Sequence, residues 1–191
     1  MTNSIKYSLG VLGFLFLLFL YNKNSQDSYK MVSQSIFDGS ADDVFRIQLS
    51  ENSKEIELIR KDSTWSISNV DSLVVKEDQI EKIFDRLLSV EKEILITTKE
   101  EKWEKFGVDD SLARHIQIYD ENDNEIIHFL FGNSGQDWQH NYVRKNGSSD
   151  VYRTNDNVFF LLNTNTTYWG KKPPEPKPIV NSDSTGTINP Q

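Results

Sequence analysis

His115 and His128 flank the run Asp120-Glu121-Asn122-Asp123-Asn124, and no other spacing in this chain comes nearer to a reactive constellation. Pairing Tyr119 with Ile126 across that turn brings the two imidazoles diagonally onto one face of a hairpin, within reach of a shared zinc ion. His140 offers a third nitrogen if the following loop folds back. The same register makes this the polar face, where exposed histidines belong without any metal, so no metal ligand is assigned. The stretch starting at Asp120 has the acidity of a calcium loop. It lacks the glycine at position six and carries Phe131 at position twelve, so it reads as a solvated turn. Asp42-Asp43 and Asp109-Asp110 could do acid–base work only if buried together. Neither a Gly-rich phosphate loop nor a G-x-S-x-G elbow is present. The absence of cysteine removes thiolate nucleophiles, thiolate metal sites and disulfides. No catalytic residue and no cofactor is expected, and the chain reads as non-enzymatic.

One candidate binding surface remains. The loop GNSGQDWQHN sets Trp138 among glycines and polar residues, with His140 and Tyr142 close behind it. Aromatic side chains are enriched at binding hot spots, so Trp138, His140 and Tyr142 form a candidate surface for a glycan or a peptide. A Trp138 folded back over the sheet edge is the alternative.

These residues need a scaffold, and period-two patterning supplies it. VFRIQLS over 44–50, the run 55–61 and TWSIS alternate apolar and polar residues, with turn residues between them. They predict an antiparallel meander with one buried side. In KEDQIEKIFDRLLSVEK the period changes: Ile80, Ile83, Phe84, Leu87 and Leu88 make a helical stripe fit to lie on a sheet. A short strand over 93–97 follows. Thr98 and Glu101 then have the spacing of a capping box for a short helix through Trp103 and Phe106, ended by Gly107. ARHIQIY and EIIHFLF form the hairpin, with Ile116, Ile118, Ile127, Phe129 and Phe131 on the core face. NYVRK and DVYRT flank an Asn146-Gly147 turn, and NVFFLL reads as a last short helix. The fold class is α+β: antiparallel sheets with amphipathic helices packed on one face, as a candidate duplicated β-meander-plus-helix unit.

At the N-terminus, Tyr7 to Asn22 is a stretch of sixteen uncharged residues between Lys6 and Lys23. As a helix it spans roughly 24 Å against a hydrocarbon core of about 30 Å, a gap that snorkelling lysines and local thinning can close. No Ala-x-Ala-like pattern precedes a cleavage point, so an uncleaved signal anchor is favoured over a cleaved signal. The expected organisation is a transmembrane anchor over 1–22, a connector over 23–43, one domain over 44–169 and a Pro-rich disordered tail over 170–191. The domain is expected on the extracytoplasmic side, periplasmic or cell-surface, tethered by a single pass. From Met31 to Tyr168 the chain carries 15 Lys and Arg against 26 Asp and Glu, a net charge of −11. Such a body repels phosphate backbones, which argues against nucleic acid as a partner.

The order of RIQLS, IELIRKDSTWSIS, the EDQIEKIFDRLLSVE helix, KFGVDD, FLFGN and NYVRKNGSSDVYRT resembles a bacterial family known as domain of unknown function 4340. The resemblance covers about 44–169. Val108 stands where leucine is frequent in that family, and Asp110 and Ser111 where a proline is. The resemblance implies a membrane-tethered extracytoplasmic module, an accessory subunit of an envelope or ABC-transporter-associated assembly of the gliding-motility auxiliary type. It implies a membrane or envelope protein as partner and supplies no catalytic residue.

Overall fold

Alternating apolar residues fold as strands here, and all the long strands join a single sheet. The computed structural model describes residues 3–26, 31–133 and 137–174. In chain order the elements are α1 (Asn3–Gln26), β1 (Met31–Ser35), β2 (Arg46–Glu51), β3 (Lys54–Lys61), β4 (Thr64–Ile67), β5 (Val74–Val75) and α2 (Glu77–Lys82). Then come β6 (Glu91–Thr97), α3 (Trp103–Phe106), β7 (Arg114–Tyr119), β8 (Glu125–Gly132), β9 (Tyr142–Lys145), β10 (Val151–Thr154), α4 (Thr166–Trp169) and β11 (Gly170–Lys171). Nine strands lie in the order β1-β6-β10-β9-β8-β7-β2-β3-β4, each pair antiparallel, and β11 with β5 makes a two-stranded ribbon. The molecule is therefore α+β, as expected.

The meanders β2-β3-β4 and β7-β8-β9-β10 sit back to back across a β2–β7 seam running from Arg46↔Tyr119 to Glu51↔Arg114. The helical segments after them are unequal. A π-turn over Ile83–Leu87 continues α2, whereas the second meander is followed by a three-residue 3-10 turn, Phe159–Leu161. The predicted NVFFLL helix is thus shortened to one turn.

The hairpin register is the one expected, with Ile118 opposite Ile127 and Gln117 opposite His128, until a bulge sets Tyr119 against Glu125. Period-two geometry then sends Ile116, Ile118, Phe129 and Phe131 into the core beside Ile47, Leu49 and Leu58. Ile80, Ile83, Leu87 and Leu88 of the helical stripe cover that face, and Trp169 closes it. Each such side chain contributes about 1.5–3 kcal/mol by leaving water.

Four expectations need correcting. Helical cover is not confined to one face: Leu130, Arg144 and Val151 point away from the main core, yet they are buried with Val108 and Ala113 of the 103–113 segment. Leu130 and Val151 are apolar residues on a largely polar face, and they require that cover. The connector is shorter than 23–43, because β1 pairs with β6 and Ile36 and Val44 are buried. An edge strand held by backbone hydrogen bonds leaves little trace in side-chain periodicity. The capping box at Thr98 does not form. The first turn there begins at Glu100 with Lys99 in the cap position, and Thr97 Oγ1 accepts from the Lys99 amide. The fold also runs past Trp169, since Gly170–Lys171 is β11. The predicted tail over 175–191 lies outside the described residues.

The N-terminal stretch is helical, as α1. Its described apolar side chains, from Leu9 to Leu20, are all exposed. Among the described residues, however, no helix is long and apolar enough to cross a membrane.

Candidate functional site

Two glycines fix the geometry at one end of the sheet. Gly107 ends α3 in the left-handed region, φ 64°, as expected for a residue that stops a helix. Its turn lies against the last residue of β8, where the Gly107 Cβ position is 3.6 Å from Gly132 Cα. A Cβ on Gly132 itself would stand 1.9 Å from the Phe106 carbonyl oxygen, so the approach requires hydrogen at that position. This contact lays Phe106 beside Tyr142, the first residue of β9, with ring centroids 4.7 Å apart.

A cleft of about 870 Å³ opens there, with Phe106, Tyr142, His140, Asp137, Lys105 and Arg153 among its walls. Arg153 is held from β6 by Glu93, at 3.0 and 2.7 Å. The Thr154 carbonyl sits 2.7 Å from His140 Nδ1 and can only accept, so Nδ1 bears the proton. Nε2 is thereby turned towards Asp137 Oδ2, 3.5 Å away. Apolar rings, fixed charges and an oriented imidazole suit the binding of a polar group with an apolar edge.

His140 and Tyr142 meet in this cleft, whereas Trp138 stands outside it. Trp138 is 74% exposed, which leaves no room for the folded-back alternative. Its backbone is left-handed at φ 56°, and Asn157 Nδ2 donates to its carbonyl at 2.9 Å. A bulky side chain is uncommon in that region, and here the surrounding contacts hold it facing water. Trp138→Ala is expected to change thermal stability by no more than about 0.5 kcal/mol, read from melting curves. A loss of several kcal/mol, as for a core tryptophan, would contradict this placement.

The other two histidines do come together, with His115 Nδ1 3.1 Å from His128 Nε2. Their ring centroids are 5.4 Å apart, about that contact plus a ring radius on each side. The nitrogens therefore point at one another, as in an N–H···N hydrogen bond, instead of converging on an ion. Among the described residues no three His, Cys, Asp or Glu side chains group to hold a metal. Burial holds His128 below the usual histidine value; Glu125 and Asp110 oppose the effect, while His115 and Arg144 add to it. Between pH 6.5 and that lowered value the unfolded chain binds a proton that the folded chain refuses. Stability must therefore fall as pH drops through this window and level off below it. Melting temperatures at pH 7.5 and 5.5 are expected to show the loss, and His128→Gln should remove most of it.

The carboxylate pairs are drawn apart into separate structural tasks. Asp43 and Ser40 cap a 3-10 turn reciprocally, while Asp42 pairs with Arg60. Burial opposes ionisation of Asp109, but hydrogen bonds from Ser111 and Leu112 hold its carboxyl below the usual range. Asp110 pairs with Arg144 at 2.9 Å. The acidic turn is also committed to structure: Asp120 accepts from the Asn124 side-chain and backbone amides and from the Asn122 amide, which lowers its pKa, and Asp123 pairs with Arg46.

Two buried polar groups were not legible in the pattern. Arg144 stacks 3.7 Å over the Trp103 ring, donates to the Val108 carbonyl and is 2% exposed. Asn141, 1% exposed, accepts from the Val158 and Phe159 amides through Oδ1 and so caps the 3-10 turn from across the fold. Thr154 Oγ1 accepts from the Asn141 amide at 2.8 Å. The one available signal was that Asn141 lies just ahead of a strand, where a polar side chain can reach backbone on a neighbouring element.

No curated protein and no solved structure matches the chain. A family described as Domain of unknown function (DUF4340) matches residues 65–175, more than half of the chain. The match opens at Trp65 in β4 and takes in α2, both glycines of the close approach and the whole cleft, and on that extent the chain belongs to the DUF4340 family.

Proposed function

We propose that this protein is a membrane-tethered, extracytoplasmic interaction module without enzymatic activity, acting as an accessory subunit of an envelope or ABC-transporter-associated assembly. The observation that carries the reading is the surface of α1. Leu9, Val11, Leu12 and every residue from Phe14 to Leu20 are exposed, all around the helix and with no polar side to face water. A helix apolar on every side is matched to lipid or to a protein interior. The lysines at 6 and 23 bracket the segment, whose sixteen residues from Tyr7 to Asn22 reach most of the way through a bilayer. The acidic body beyond it is suited to a hydrated compartment.

Membrane fractions of cells producing the full chain test the tether. The protein is expected to resist a high-salt and alkaline carbonate wash and to leave only with detergent. A reporter fused after Gln191 should be active only outside the cytoplasm. A chain that washes off, or a reporter active in the cytoplasm, contradicts the reading. A second reading, a glycan- or peptide-binding module, is favoured by the cleft in which His140 and Tyr142 meet Phe106. Sugar retained by a purified monomer with no protein partner would select it.

A further inference from the structure

The cleft beside Phe106 is floored by strands whose backbone is already spent. Its floor residues Ile96, Arg153 and Tyr142 belong to β6, β10 and β9, and each of these strands has a neighbour on both sides. An extended peptide joins a sheet through the free amides and carbonyls of an edge strand, and these three strands are interior. An occupant of the cleft must therefore be held by side chains.

Those side chains supply both halves of a hydrogen bond. Arg153 gives Nε and Nη2 to Glu93, which leaves Nη1 to donate. Among the described residues the Lys105 ammonium has no ion-pair partner and the Tyr142 hydroxyl no hydrogen-bond partner. The acceptors are Asp137, whose Oδ2 stands towards His140, and Glu104, which has no ion pair among the described residues. Two cations, Lys105 and Arg153, thus stand among three carboxylates, Glu104, Asp137 and the Glu93 that holds Arg153. Each sign has the other beside it, so a charged ligand meets no field of a single sign. A hydroxyl, which both donates and accepts, is satisfied by such walls.

Carbon surface lies between these polar groups. Ile96, Phe106 and Tyr142 are only half-buried, and the two rings are tilted by 57° into a corner. The negative face of an aromatic ring attracts C–H groups. A sugar ring carries both surfaces at once, with hydroxyls around its rim and C–H groups on its face. Resting on the second reading above, a glycan- or peptide-binding module, we infer that this cleft takes a neutral saccharide. A ring face packs against the Phe106–Tyr142 corner, with hydroxyls between Arg153, Lys105 and Tyr142 as donors and Asp137 and Glu104 as acceptors. The cleft's volume of about 870 Å³ is within the range of sites for small ligands. Trp138, outside the cleft, has no part in it.

The test uses the full-length protein in a detergent without a sugar head group and follows binding by titration calorimetry. The neutral probes are cellotetraose, maltotetraose and chitotetraose. The comparators are tetragalacturonate, a glucosamine tetramer and a random hexapeptide library. At least one neutral tetrasaccharide is expected to bind, with an affinity that changes less than about twofold between roughly 0.05 and 0.5 M salt. Tyr142→Ala should weaken it about tenfold or more, and Asp137→Asn, at an exposed loop position, about threefold or more. Trp138→Ala should leave it within about twofold. Binding of the charged tetramers alone, binding that survives both cleft substitutions, or binding lost with Trp138→Ala overturns the saccharide cleft. Peptides bound in place of every saccharide also overturn it but leave the binding-module reading standing. A chain that binds no probe of any class overturns both.

Discussion

Gly132→Ala is expected to cost the fold about 3 kcal/mol or more, lowering the melting temperature by roughly 10 °C. The new methyl carbon would lie 1.9 Å from the Phe106 carbonyl oxygen and 3.1 Å from the Gly107 carbonyl carbon. Both obstacles are backbone, so no side chain can swing aside. Relief requires the end of α3 to lift from β8, which would part Phe106 from Tyr142 and open the cover over Arg144. Gly147→Ala is the control. That residue is left-handed at φ 75° and its Cβ position meets nothing within 4 Å, so only backbone strain of about 1 kcal/mol is expected. If the two substitutions cost the same, the close approach of 107 and 132 is not what requires glycine.

Asn141→Ala is expected to destabilise by a similar amount, about 3 kcal/mol, by a different route. Oδ1 accepts from two amides, Val158 at 2.7 Å and Phe159 at 3.1 Å, in a buried site. Alanine leaves the Val158 amide without an acceptor and out of water, at about 1–3 kcal/mol, and leaves the Phe159 amide only its 3.2 Å bond to Asn157 Oδ1. The 3-10 turn they begin carries Leu161, fully buried, so loosening the cap also loosens the core. Thr154→Val should cost less, about 1–2 kcal/mol, through loss of the acceptor for the Asn141 amide. Because the two residues share this clip, the double variant should cost less than the sum of the single ones, as a double-mutant cycle by chemical denaturation would show. Simple additivity would mean that the residues act independently.

The candidate site was half legible. Trp138, His140 and Tyr142 stood out as aromatic and polar residues in a glycine-containing loop, and two of them share the cleft. Phe106, Lys105 and Arg153 come from other elements, and nothing in the loop foretold that they would form the opposite walls. The diagonal of His115 and His128 followed from the hairpin register, but only ring orientation separates a shared proton from a shared ion.

The sequence by itself determined what depends on neighbours along the chain: the alternating strands, the helical stripe from Ile80 to Leu88, the left-handed stop at Gly107, the hairpin register and the apolar centre of α1. Each is a repeat or turn preference written in consecutive residues. Tertiary structure alone decided that β1 joins the sheet, that Leu130 and Arg144 are buried on the second face, that Asn141 caps a distant turn and that Gly132 meets Phe106. Those outcomes turn on which backbone atoms meet across long stretches of chain, and a hydrogen bond or a hard-sphere contact between distant segments leaves no period in the sequence.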